Sequence, residues 1–299
     1  MTEQQPKIGN IIYCNNQYYP GKNIGEYVLL KMFGRNEFTT TYLCIHVPTE
    51  KQYVVKIIHE KKNFKYNMEI IAKLKNIKHD FIVSLHDMLI SQNHVYIFYE
   101  YVPNANNLYE KIVDNERLDE NLSRKIFQQI IIAMNFYHQH NLYYSDYKFD
   151  GDLIEDVLID ENENIKIINW GFYNLCEKNI GTWCVIKPPR YILPEHIKGE
   201  INYNKFKADI WICGIALFTM LSGQYPFDDK SFKTMFRNIE NCEYKMSEYI
   251  SEGARNLIRR ILVADPASRY SIENIFADSW FNNNLVQFEI DQGIKVYKP

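Results

Sequence analysis

The chain is 299 residues long with 46 % apolar residues, enough to pack a sizeable core. Lys plus Arg number 34 against 37 Asp plus Glu, so no strong field invites nucleic acid or an anionic membrane surface. The opening MTEQQPKIGN has no basic stretch leading into an apolar core and does not read as a secretory signal. The longest nearly apolar run, residues 210–221, is about twelve residues where a span needs roughly twenty, and reads as a buried helix. Six scattered cysteines, with no CxxC pair, read as reduced structural thiols of a cytoplasmic or nuclear protein.

In chain order, residues 27–33 (YVLLKMF), 40–47 (TTYLCIHV) and 52–58 (QYVVKII) read as three antiparallel strands. Ile70, Ile71, Leu74 and Ile77 then repeat at helical spacing, predicting a helix over 66–77. Two more strand candidates, 82–89 and 94–101, complete a five-stranded antiparallel lobe with one helix. Helical periodicity dominates afterwards, over 122–140, 208–223 and 253–263. Two short strand-like pieces, DVLID and NIKII, interrupt those helices around an ENE turn. The fold class expected is α+β, in two lobes: an N-terminal extension 1–26, a first lobe 27–101, a helical second lobe 102–281, and a tail 282–299.

Several motifs then fall in one order. Leu193-Pro194-Glu195, Asp209-Ile-Trp211-Ile-Cys-Gly214, Arg269 in DPASRY, SGQYPFDD and ADSWF resemble, over about residues 27–281, those of the protein kinases. The calcium/calmodulin-dependent and AMP-activated group is the most similar. The resemblance implies a bilobal kinase fold, a buried Glu195–Arg269 pair, and an Asp209 carboxylate that accepts backbone N–H groups. It also implies ATP and Mg²⁺ as cofactors and a protein substrate or protein partner.

The parts that would carry phosphoryl transfer are uneven. Such transfer needs phosphates and metal positioned and an acceptor hydroxyl oriented. The resemblance assigns nucleotide binding to Gly34, Lys56, Glu69, Glu100, Val102 and Leu158, catalysis to Asp146 and Lys148, and metal binding to Asp156 and Asn169. Asp146 would take the acceptor's proton, and Lys148 would stabilise the transferring phosphoryl group.

Against that pattern, Asn36 and Thr39 replace two loop glycines, beside a retained Phe38. Glu69 stands one residue from the position that pairs with Lys56, so either the helix shifts register or the ion pair is lost. Val54, Thr41 and the bulky Tyr99 narrow the base pocket. Ser145 replaces the arginine that clamps a phosphorylated activation segment, which leaves the readout of Thr182 as a phosphosite open. Asn169 replaces the metal-chelating aspartate, and Asp156 replaces an asparagine after five extra residues. Asp150, Asp152 and Glu155 in that insertion are alternative ligands or solvated loop acids, and Pro188 stands where a threonine belongs. The expectation is a pseudokinase acting by protein contacts; the alternative is a slow Ser/Thr kinase with a rearranged metal site.

Overall fold

Alternating β-branched and aromatic residues in the first hundred positions fit a pleated surface half-buried on one side, and they form strands there. The structure, a computed structural model, describes residues 19–35, 39–59, 74–144, 152–168, 190–200 and 202–285. The chain divides into two compact units, Met1–Pro103 with Gly171–Gly181 and Asn104–Trp170 with Thr182–Pro299.

The first unit is an antiparallel sheet of β1 (Asn23–Ile24), β2 (Tyr27–Arg35), β3 (Thr39–His46), β4 (Lys51–Ile58), β5 (Leu85–Ile90) and β6 (Val95–Glu100), in the order β1-β2-β3-β4-β6-β5. All five strands read from the sequence are present. The sheet is six-stranded rather than five-stranded, because Ile24 pairs with Tyr27 and is fully buried. Two residues are too short to show a period, so that strand could not be read from the pattern. One face buries Tyr27, Leu29, Tyr42, Cys44, Val55, Ile57, Tyr96 and Phe98, with the Tyr27 and Phe98 rings stacked at 3.8 Å. Of the helix expected over 66–77, Leu74 to Asn76 are helical, and residues 60–73 lie outside the described residues.

In the second unit a small sheet of β7 (Asn106–Asn107), β8 (Val157–Ile159) and β9 (Ile165–Ile167) accompanies the helices. The ENE turn joins β8 to β9, with Glu163 at φ 63°. Helix α1 (Leu108–Asp114) starts at the Asn107 cap, and α2 (Glu120–Gln139) starts at Asp119, whose carboxylate accepts the N–H groups of Asn121 and Leu122. After the short α3 (Pro194–Ile197) comes α4 (Lys205–Ser222), capped by the Asn204 side chain and closed by Gly223 in the left-handed conformation. Residues 208–222 of α4 are all buried, as the apolar run foretold. Then follow α5 (Phe232–Asn241), α6 (Glu252–Ile261), α7 (Ile272–Phe276) and α8 (Ser279–Asn282). Among the described residues no helix is long and apolar enough to cross a membrane.

The motif of α4 acquires a physical reason at each position. Asp209, fully buried, accepts the Tyr144 backbone N–H at 2.9 Å and lies 2.7 Å from His138 Nε2. Trp211 stacks on Phe227 at 5.5 Å, under the Arg269 guanidinium at 5.0 Å. Gly214 must lack a side chain because a Cβ there would fall 2.4 Å from Ile261 Cγ2. Arg269 bonds both oxygens of Glu195, at 2.9 and 3.1 Å, with both side chains at most 1 % exposed.

Removing either partner strands a buried charge, so Arg269→Ala should cost about 3–5 kcal/mol in urea unfolding. Gly214→Val should lower stability through overpacking by about 1–3 kcal/mol. Losses well under 1 kcal/mol in both would mean that neither contact holds this unit together.

Candidate active site

The first unit lines up several of its candidate residues by register. Gly34 lies opposite Thr41, Thr41 opposite Lys56, and Lys56 opposite Ile97. The next row on the same face runs Leu43, Val54, Tyr99. Strand alternation puts this row on the face opposite the aromatic core. Lys56 is half-buried on β4, an interior strand flanked by β3 and β6, so it is not an edge-strand surface lysine. Gly34 has no backbone reason to be glycine: its φ is not positive, and a Cβ there would meet nothing within 4 Å. Space above that backbone is what close approach of a phosphate requires. Thr41, Val54 and Tyr99 share this face with Lys56, as expected for residues that narrow a base site.

Glu100 ties the end of β6 to β5: its Oε2 accepts the Ser84 N–H at 3.2 Å, and its own N–H donates to the Ser84 carbonyl at 3.0 Å. Val102, two residues on, is half-buried.

In the second unit the β8–β9 hairpin carries the next group. Val157 and Ile159 are buried, while Leu158 between them stands on the more open side. Gln129 on α2 fixes this hairpin by a bidentate amide contact, donating to the Glu163 carbonyl at 2.9 Å and accepting the Ile165 N–H at 2.8 Å. A glutamine inside an apolar helical run was the available signal for this positioning residue, and sequence reasoning missed it. Asn107 adds a bond to the Glu155 carbonyl at 2.6 Å.

Asp156 is 8 % exposed, and its Oδ2 accepts the Tyr144 hydroxyl at 2.8 Å. Its carbonyl accepts the Ile168 N–H at 2.8 Å. Mg²⁺ is commonly held by one or two carboxylates together with phosphate oxygens and waters. Among the described residues no three His, Cys, Asp or Glu side chains gather into a metal site. Asp156, already bonded by a phenol, fits as one ligand of one ion.

Asp152, an alternative ligand by sequence, is used elsewhere. Its Oδ2 accepts the Tyr225 hydroxyl at 2.5 Å, its Oδ1 accepts the Ile154 N–H at 3.1 Å, and the buried Tyr191 hydroxyl lies beside it. Leu153 and Ile154 are fully buried, so the described part of the insertion is packed down rather than solvated. Burial raises the Asp152 pKa, a hydrogen bond from Tyr225 opposes this, and the Glu155 carboxylate adds to it. Burial likewise raises the pKa of Tyr191 and Tyr225. Among the described thiols, burial pushes Cys44 up to about 12 and Cys242 up to about 11, away from the reactive thiolate form. Asn36, Phe38, Glu69, Asp146, Lys148, Asn169, Thr182 and Pro188 lie outside the described residues.

A carboxyl whose folded pKa is raised contributes stability that is lost as pH rises through that value. Asp152→Ala should therefore cost about 1–3 kcal/mol by stranding buried hydroxyls. Asp152→Asn should be milder, and its melting temperature relative to wild type should rise as pH climbs above the ordinary carboxylate value near 3.8. A pH-independent difference would show that Asp152 is not buried as a charge.

The protein kinase domain family model matches residues 27–281. The chain is 33 % identical over 280 residues to a carbon catabolite-derepressing protein kinase of Candida glabrata, covering 92 % of this chain and 44 % of that protein. It is 33 % identical over 272 residues to the SNF1-like protein kinase ssp2 of Schizosaccharomyces pombe, covering 89 % and 46 %. With CBL-interacting serine/threonine-protein kinase 26 of Arabidopsis thaliana it shares 32 % identity over 273 residues, covering 88 % and 60 %. The chain thus spans less than half the length of the first two. With the sheet, the helical unit and the buried motif pairs agreeing with that match, this chain belongs to the protein kinase domain family, has its bilobal α+β fold, and is related to the SNF1-type kinases.

Proposed function

We propose that the chain is a pseudokinase, a kinase fold that transfers phosphate weakly or not at all and works by contact with a regulated protein partner. The observation that carries this reading is the state of Asp156, a buried carboxylate bonded by the Tyr144 phenol. Phosphoryl transfer depends on electrostatic positioning rather than covalent help, so losses among metal ligands fall on the largest contribution to rate. Asn169 in place of a carboxylate, Asn36 and Thr39 in place of glycines, and Pro188 in place of a threonine weaken three further parts.

If Mg²⁺ joins the site, Asp156 and Asn169 would hold it, and it would neutralise charge on the phosphates. Lys56 would pair with those phosphates beneath Gly34. Asp146 would orient an acceptor hydroxyl and take its proton, with Lys148 beside it. Those two residues keep a second reading in play, a slow Ser/Thr kinase using ATP, and the names of the relatives favour it.

Two measurements decide between them. At 1 mM ATP with Mg²⁺ or Mn²⁺, a dissociation constant of about 1 mM or weaker stabilises by at most about 0.4 kcal/mol, so the melting temperature should move by no more than about 1 °C. Phosphate transfer to a generic Ser/Thr substrate should match that of Asp146→Ala. Metal-dependent turnover that Asp146→Ala abolishes would overturn the pseudokinase reading.

A further inference from the structure

One aromatic pair on the sheet belongs to neither the phosphate row nor the core. Phe33, in β2, falls between Met32, opposite Tyr42, and Gly34, opposite Thr41, where the ladder slips by one residue. Such a bulge leaves Phe33 without a cross-strand partner and re-aims its side chain. Phe33 is 48 % exposed, and its ring stacks on Tyr101, with centroids 6.2 Å apart and planes at 21°. Tyr101 follows β6 directly, two residues past Tyr99, and Phe33 directly precedes Gly34. The pair therefore joins the residue before the phosphate-loop glycine to the strand that follows the Val54–Tyr99 row.

From this geometry we infer that the Phe33–Tyr101 stack is a latch over the base-binding end of the nucleotide face, one that a purine must open to bind. The inference rests on the reading that the Gly34, Thr41, Lys56 row is the nucleotide side, and it names what limits entry there. A planar base slipped between two rings needs one van der Waals contact of about 3.5–4.0 Å on each side, hence about 7–8 Å between the rings. The observed 6.2 Å leaves no such layer. The rings must part before a base can lie between them, and the stacking lost on parting is subtracted from the affinity. With Val54 facing Tyr99 across the next row, the base end is narrowed from two directions. Phe33 and Tyr101 are thus specificity-determining residues rather than catalytic ones.

Adenosine, which has base and ribose but needs neither phosphate nor metal, is the probe, and isothermal titration of the full chain is the readout. Phe33→Leu and Tyr101→Leu each remove one ring and should tighten adenosine binding about two- to twelve-fold over wild type, the equivalent of one aromatic pair. Thermal melts of the unliganded variants confirm that each is folded. Affinities equal to or weaker than wild type in both folded variants would overturn the latch. So would an absence of detectable binding in all three proteins, because the Val54–Tyr99 row rather than the stack would then close the face. Since adenosine carries no transferable phosphate, either result leaves the separate question of phosphoryl transfer to be judged on its own assay.

Discussion

A fully buried carboxylate has to be met by donors, and in this protein that requirement organises the helical unit around Asp209. Its side chain has no exposed surface and draws in the Tyr144 backbone N–H and the His138 ring from two different segments. Tyr144 in turn reaches Asp156 with its hydroxyl, so the same carboxylate that fixes the centre of the unit also fixes the start of the β8–β9 hairpin. Glu195 and Arg269 repeat the logic, with Arg269 further bonded to the carbonyls of Val263 and Lys207. Burying charges is unfavourable unless their oxygens and N–H groups are matched, and Arg269 meets both oxygens of Glu195.

That architecture is indifferent to catalysis. The residues that hold the unit together are those of the family's motifs, whereas on the reading proposed above the positions that would handle phosphates and metal depart from it. A fold can keep its buried polar frame while its surface chemistry drifts, because the frame carries stability and the site carries function. Ahead of Asp156, Leu153 and Ile154 are buried and Asp152 turns into a tyrosine cluster. Hydrogen bonds from Tyr225 and the Ile154 N–H offset the desolvation of the carboxylate, and Arg190 lies over the Tyr225 ring at 4.5 Å.

Much of this was legible from the chain. Strands β2 to β6 announce themselves because β-branched and aromatic residues alternate over five residues or more, and α2 and α4 because their apolar runs are too long for strands. The Glu195–Arg269 pair and the Asp209 contact followed from motif order. Strand β1, two residues long, had no pattern to read. Gln129 carried a signal, an amide in an apolar run, whose meaning depended on where the hairpin would lie. The Phe33 latch was invisible because a bulge of one residue changes a side chain's direction without changing the sequence around it.

The amino-acid order by itself determined the fold class and the order of motifs, since these depend on residue type and local period. Only the tertiary structure decided how individual side chains are used: that Asp156 is bonded by a phenol, that Asp152 is buried against tyrosines, and that Phe33 covers Tyr101. Contacts between residues tens of positions apart are set by packing and by the need to satisfy every buried donor and acceptor. No local pattern encodes that requirement.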